Sequence, residues 1–143
     1  MSKSIPLHEG LFTWPADHPQ LLGARCPHCG EHCFPAATDC RHCGGRDNAI
    51  VELGDRGTLW TWTIQGFMPK PPYHSDETAD NFTPYGVGYV EMPCGLRVEA
   101  RLKENQPEQL RIGMSMALTI ETLRTDANGN ELLIFAFQGV EQP

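Results

Sequence analysis

Residues 25–44 read RCPHCGEHCFPAATDCRHCG, and this stretch decides how the chain begins. Cys26 and Cys29 are separated by two residues, ten residues follow, and Cys40 and Cys43 repeat the pattern. A glycine follows each second cysteine (Gly30 and Gly44), so the backbone can turn and aim its N–H groups at the thiolate sulfurs. Four thiolates at about 2.3 Å from one metal ion close a tetrahedral shell, leaving no position for a substrate or an activated water. The spacing therefore predicts a structural metal site held by Cys26, Cys29, Cys40 and Cys43. Zinc is the expected ion, one per chain, and a rubredoxin-type iron is its competitor. Cys33 reads as packing beside Phe34, and His28, His32 and His42 as solvated residues of the ribbon. Four thiolates around a divalent ion leave a formal charge near −2, and Arg25, Arg41 and Arg46 answer it locally.

Outward from this module the chain changes texture on both sides. Residues 1–24 carry Pro6, Pro15 and Pro19 among the apolar residues Phe12, Trp14, Leu21 and Leu22. Proline lacks a backbone N–H and blocks a continuous helix, so a short helical turn is the most this segment allows. From residue 52 onward strands and turns dominate. Thr58–Ile64 alternates, predicting Trp60, Trp62 and Ile64 on one face against Thr61 and Thr63. Tyr85–Met92 forms the next strand. Pro93-Cys94-Gly95 then turns the chain into Leu96–Lys103, where Leu96, Val98, Ala100 and Leu102 oppose Arg97, Glu99, Arg101 and Lys103. ENQPEQLRIG makes a turn or short cap before a final hairpin, Met114–Leu123 with Glu131–Gln138, whose Asn128-Gly129 suits a turn needing positive φ.

Five strands with a break between the third and fourth predict a mainly β chain. Its N-terminal zinc ribbon precedes a five-stranded Greek-key barrel of the OB type, with a five- or six-stranded sandwich as the alternative. The expected division is a docking segment over 1–24, the ribbon over 25–50 and the OB-fold domain over 51–143.

Composition narrows the function. Charged residues are 20% of the 143 and hydrophobic ones 40%, which argues against extended disorder. The formal net charge of −7 opposes nucleic-acid binding, because displaced counterions reward a basic surface. No apolar run long enough for a signal peptide or a membrane span is present, so a soluble, cytoplasmic protein with reduced cysteines is expected. Catalytic candidates are thin. Cys94 lies in a strand-to-strand turn, where it serves geometry, and His8-Glu9 lacks the second histidine of a metalloprotease motif. His74, Asp76, Glu77 and Asp80 share the long loop GFMPKPPYHSDETADNFTP (residues 66–84). A loop of this length in a compact domain is usually functional or disordered. Its Phe67, Met68, Tyr73 and Phe82, with Tyr85 beyond, favour a ligand or partner surface over general-acid chemistry. No residue is assigned a catalytic role.

The succession of the cysteine module, GTLWTWTI (57–64), PYGVGYVEMPCGLRVEARL (84–102) and LRIGMSMALTIE (110–121) resembles the acyl-CoA-associated family with a rubredoxin-like zinc ribbon before an OB-fold. The resemblance covers residues 20–138. It implies an accessory subunit rather than a lone enzyme. The implied partner is a thiolase-like protein that supplies the nucleophilic cysteine and the histidine, within a hetero-oligomer acting on a CoA thioester. The small subunit of an aryl-succinyl-CoA thiolase, from anaerobic aromatic degradation, is the nearest such case. A hot-dog acyl-CoA hydratase is an alternative partner, and an OB-type nucleic-acid module an alternative role. The short, proline-broken segment before the ribbon and the sequence Phe34-Pro35-Ala36 depart from the family pattern.

Overall fold

The alternation that marks residues 96–103 becomes a strand, Arg97–Leu102, with Val98, Ala100 and Leu102 buried and Arg97 and Glu99 exposed. In the computed structural model, which describes residues 3–141, it is the seventh of nine strands. The others are β1 (Ser4–Pro6), β2 (Leu21–Arg25), β3 (His32–Cys33), β4 (Ala49–Gly54), β5 (Arg56–Gln65), β6 (Tyr85–Glu91), β8 (Ser115–Thr125) and β9 (Glu131–Gly139). One turn of 3-10 helix, Pro107–Gln109, lies between β7 and β8, where a cap was expected. The proline-broken N-terminal segment forms no helical turn among its described residues, and its first strand instead runs parallel to β9.

Strands β5 to β9 close on themselves in the order β5-β6-β7-β9-β8, and β8 returns to β5 through Arg56↔Ala117 to Thr58↔Ser115. All neighbours are antiparallel except β7 and β9, which run parallel through Arg101↔Ala136 and Leu102↔Phe137. This closed five-strand barrel of OB-like order resolves the choice against a sandwich, since closure leaves no second sheet to pack. Its interior holds Leu59, Val90, Met92, Val98, Leu102, Met116 and Phe137. Gly88 faces inward on β6, where an added Cβ would lie 2.6 Å from the Thr61 carbonyl oxygen; the close approach of β5 requires glycine there.

The structure corrects the reading of β5. The β5–β6 register shifts between Leu59 and Thr61, so Trp60 is the extra residue of a β-bulge. Leu59 is wholly buried, Trp62 and Ile64 pack against the core, and Trp60 is turned outward with 46% of its surface exposed. A single inserted residue moves a side chain to the opposite face, which simple alternation does not anticipate. Outside the barrel, Trp60 meets Tyr89 edge-on at 6.3 Å and lies under the Arg97 guanidinium at 4.0 Å.

The cysteine module forms a second sheet, β3-β2-β4. It does not stand apart from the barrel. Leu21 of β2 and Leu53 of β4 belong to the same buried cluster as the barrel residues, and Phe34 packs edge-on against Phe135 of β9 at 5.5 Å. Gly54, at φ 103°, turns β4 directly into β5.

Candidate metal centre and the loop-covered barrel face

Two backbone knuckles build the candidate metal centre. The Gly30 N–H donates to the Cys26 carbonyl at 2.9 Å and the Gly44 N–H to the Cys40 carbonyl at 2.9 Å. Gly30 and Gly44 take φ of 80° and 81°, which ordinary residues rarely adopt. The four sulfurs of Cys26, Cys29, Cys40 and Cys43 all lie within 4.8 Å of one another, with Cys26–Cys43 at 3.6 Å and Cys29–Cys40 at 3.5 Å. A tetrahedron with metal–sulfur bonds of about 2.3 Å has edges of about 3.8 Å, so the cluster needs little adjustment to surround zinc. Cys26 and Cys40 are buried, whereas Cys29 and Cys43 are exposed. Gly45 passes so close that a Cβ would sit 3.5 Å from the Cys26 and Cys43 sulfurs and 2.9 Å from the His28 ring.

Four thiols this close cannot all ionise unless a cation lies among them. The backbone N–H of Cys29 draws Cys26 down to about 6, with further help from His28 and the neighbouring sulfurs. Cys29 is pushed up to about 12: the Glu31 N–H lowers it, but burial and the protons shared with Cys40, Cys43 and Cys26 outweigh that pull. Cys43 is raised as well; the Gly45 N–H opposes the rise and the Cys26 thiol drives it. A divalent cation in the centre removes this conflict, since metal-bound thiols are held deprotonated. Around the site His28 Nε2 meets Asp47 Oδ2 at 2.8 Å, joining the first knuckle to the segment that leads from the second into β4. Cys33 pairs with Ala24 in the ribbon sheet and is absent from the four-sulfur cluster.

The long loop, residues 66–84, folds back over the barrel. The Asp76 carboxylate accepts the Thr125 N–H at 3.0 Å, and Glu77 accepts the Thr83 N–H at 2.8 Å. Two of the acidic residues considered for proton transfer thus hold the loop in place, while His74 and Asp80 are exposed on it. Tyr73 stacks on Tyr85 at 6.1 Å, and Phe82 meets the same ring edge-on at 5.9 Å. Phe67 projects into solvent, 73% exposed. Arg101 lies over the Tyr85 ring at 4.0 Å, donates to the Tyr73 hydroxyl at 3.4 Å and lies 3.7 Å from Glu121. Arg97 pairs with Glu91 at 3.1 Å. The two arginines of β7, Arg97 and Arg101, are therefore largely neutralised in place. Sequence reasoning missed the pairing of Arg101 with Glu121, because β7 and β8 lie on either side of β9 and come within side-chain reach only in the folded barrel. Cys94 is exposed in the β6–β7 turn.

Comparison with known proteins supplies the setting. A family model described as "ChsH2, rubredoxin-like zinc ribbon domain" matches residues 13–49, and one described as "ChsH2, C-terminal OB-fold domain" matches residues 50–121. The chain is 33% identical over 135 residues to a benzoylsuccinyl-CoA thiolase subunit, BbsA, of Thauera aromatica, covering 93% of this chain and 87% of that protein. It is 24% identical to a DUF35 domain-containing scaffold protein of Methanocaldococcus jannaschii, over 76% of this chain and 72% of the other. Among solved structures, an Ltp2-ChsH2(DUF35) aldolase matches with a TM-score of 0.62 and 27% identity, covering 84% of each chain. No helix among the described residues is long and apolar enough to cross a membrane.

Proposed function

The chain belongs to the ChsH2 family, a rubredoxin-like zinc ribbon joined to an OB-fold, and from that premise we propose that it is a zinc-binding, non-catalytic subunit of a cytoplasmic thiolase-type acyl-CoA complex. The observation that carries this reading is the likeness to a thiolase subunit over 93% of the chain. The closed four-sulfur geometry of Cys26, Cys29, Cys40 and Cys43 supports a structural role for one zinc ion, since four protein ligands leave it no substrate position. On this reading the thiolase-like partner supplies the reacting groups. The present chain organises the assembly and shares in holding the CoA thioester. Aromatic acyl groups of the kind handled in anaerobic aromatic degradation are the proposed substrates.

Residues 1–24 are the proposed docking segment. Ile5 and Trp14, 37% and 36% exposed, support this, because they present apolar surface next to the β1 edge. The Trp14 indole N–H donates to the Ser4 carbonyl at 3.2 Å, which fixes the two parts of that surface together.

Affinity purification of the chain from its native host, followed by mass spectrometry, tests the proposal. A thiolase-like protein is expected in stoichiometric amount, with zinc near one per chain. Recovery of that thiolase free of this chain and fully active would overturn the reading. Recovery of a hot-dog hydratase instead would replace the partner.

A further inference from the structure

Strands β7 and β9 are paired at only two positions, Arg101↔Ala136 and Leu102↔Phe137, and then splay apart. The N-terminal strand β1 takes over the same edge of β9 from Leu133 downward, with the Leu7 N–H donating to the Leu133 carbonyl at 2.8 Å. Between these two pairings Ile134 and Phe135 have neither partner on that edge. The gap opens into a cavity of about 360 Å³. Leu7, Leu11 and Phe12 bound it on one side, Val87 and Tyr85 on another, and Leu123 and Phe135 also line it. The loop residue Tyr73 lies along its margin.

We infer that this cavity is a binding site for a small uncharged aromatic molecule, a single ring bearing a short side chain. Three observations support the class of ligand. A closed, dry cavity of about 150 Å³ lined by Leu, Ile and Phe side chains suffices for benzene; this cleft is open to solvent but, at about 360 Å³, has room for a ring and a substituent. The aromatic walls Tyr73, Tyr85 and Phe135 offer edges and faces to a ring. Arg101 is already engaged by Glu121, Tyr73 and Tyr85, and Glu99 lines the cavity along with His8, so no lysine or unpaired arginine is offered to an anionic ligand. Burial raises the Tyr85 phenol above its ordinary pKa, consistent with a poorly solvated wall. A wider hollow of about 660 Å³ beside Ile112 is lined by Glu104, Gln109, Arg111, Ser115 and Glu141 and lacks this apolar, aromatic lining. The inference does not rest on the proposed partnership, because the cavity is built entirely by this chain.

The test uses the purified chain of residues 1–143 with methyl-labelled Val and Leu, and two probes, 4-fluorobenzyl alcohol and 4-fluorobenzoate. Fluorine NMR is expected to give a dissociation constant on the order of 0.1–1 mM for the alcohol, within the range open to a ligand of this size. Benzoate should bind at least about tenfold more weakly. Ring protons of the bound alcohol should show NOEs to Val87, Leu123 and Leu133 methyls. Val87→Trp or Leu123→Trp, whichever retains the dispersed spectrum of the folded chain, should weaken the alcohol by about tenfold. Absence of binding at 5 mM (roughly five to fifty times the expected constant), NOEs to other methyls, or equal binding of benzoate would overturn the inference. The wild-type measurements decide it even if neither variant folds.

Discussion

Replacing Cys40 by serine probes the metal site and the join between ribbon and barrel together. The change removes one of four sulfurs that lie within 4.8 Å of one another. Structural zinc contributes an apparent ~10–16 kcal/mol of binding free energy in small zinc domains. That is as large as the whole stability of a typical domain, about 5–15 kcal/mol. Zinc content measured by plasma mass spectrometry should therefore fall from one per chain to near zero. The structure then sets how far the damage spreads. The knuckles at residues 26–30 and 40–45 are held by a few backbone hydrogen bonds and the sulfur cluster, so their amides should exchange rapidly. Strands β2 and β4 have separate support, because they pair from Leu21↔Gly54 to Arg25↔Ala49 and insert Leu21 and Leu53 into the barrel core. Exposing two such leucines costs about 1.5–3 kcal/mol each, roughly 3–6 kcal/mol in all. Hydrogen exchange followed by mass spectrometry should accordingly show residues 21–25 and 49–54 still protected in the variant, with the barrel intact. Stoichiometric zinc in Cys40→Ser would refute the ligand set. Loss of protection in β2 and β4 together with the knuckles, while β5–β9 stay protected, would refute the shared core.

Other perturbations test the barrel. Leu59→Ala should cost about 2–5 kcal/mol by urea unfolding, because it empties a fully buried position. Trp60→Ala should cost only about 1 kcal/mol, mainly the stacking with Arg97, and a reversed order of the two would refute the bulge. Asp76→Ala removes the acceptor for the Thr125 N–H, so limited proteolysis should cut within residues 66–84 faster than in the parent while the barrel remains resistant. Asp126 is held below the ordinary carboxylate range, first by the Asn130 N–H and then by the Asn130 side chain and the Asn128 N–H. A carboxylate with a depressed folded-state pKa contributes stability above its unfolded value, near 4, and loses it as pH falls through the lower folded value. Asp126→Asn should thus be less stable than the parent at pH 7, and the gap should narrow in unfolding curves taken below about pH 4.

The features legible in the sequence are those written in near neighbours along the chain. The paired CxxC knuckles needed only local spacing and a following glycine, and residues 96–103 displayed their alternation within one strand. The final hairpin was marked by its turn, although only Gly129 takes positive φ there; Asp126 supplies the rest by accepting the Asn128 and Asn130 N–H groups. Trp60 shows where such reading ends. Its bulge exists only in the register of β5 against β6, which no single strand encodes. The same holds for Leu21 and Leu53, whose ribbon strands complete the barrel core. Arg101 and Glu121, twenty residues apart, meet only in the folded barrel. The sequence by itself determined the two cysteine knuckles and the succession of the five barrel strands, because covalent spacing and side-chain periodicity act over a few residues. Tertiary structure alone decided which aromatic faces outward, that ribbon and barrel share one core, and where β7 parts from β9 to leave a cavity. Those outcomes depend on contacts between segments far apart in the chain, whose geometry is set only when all the strands have found their partners.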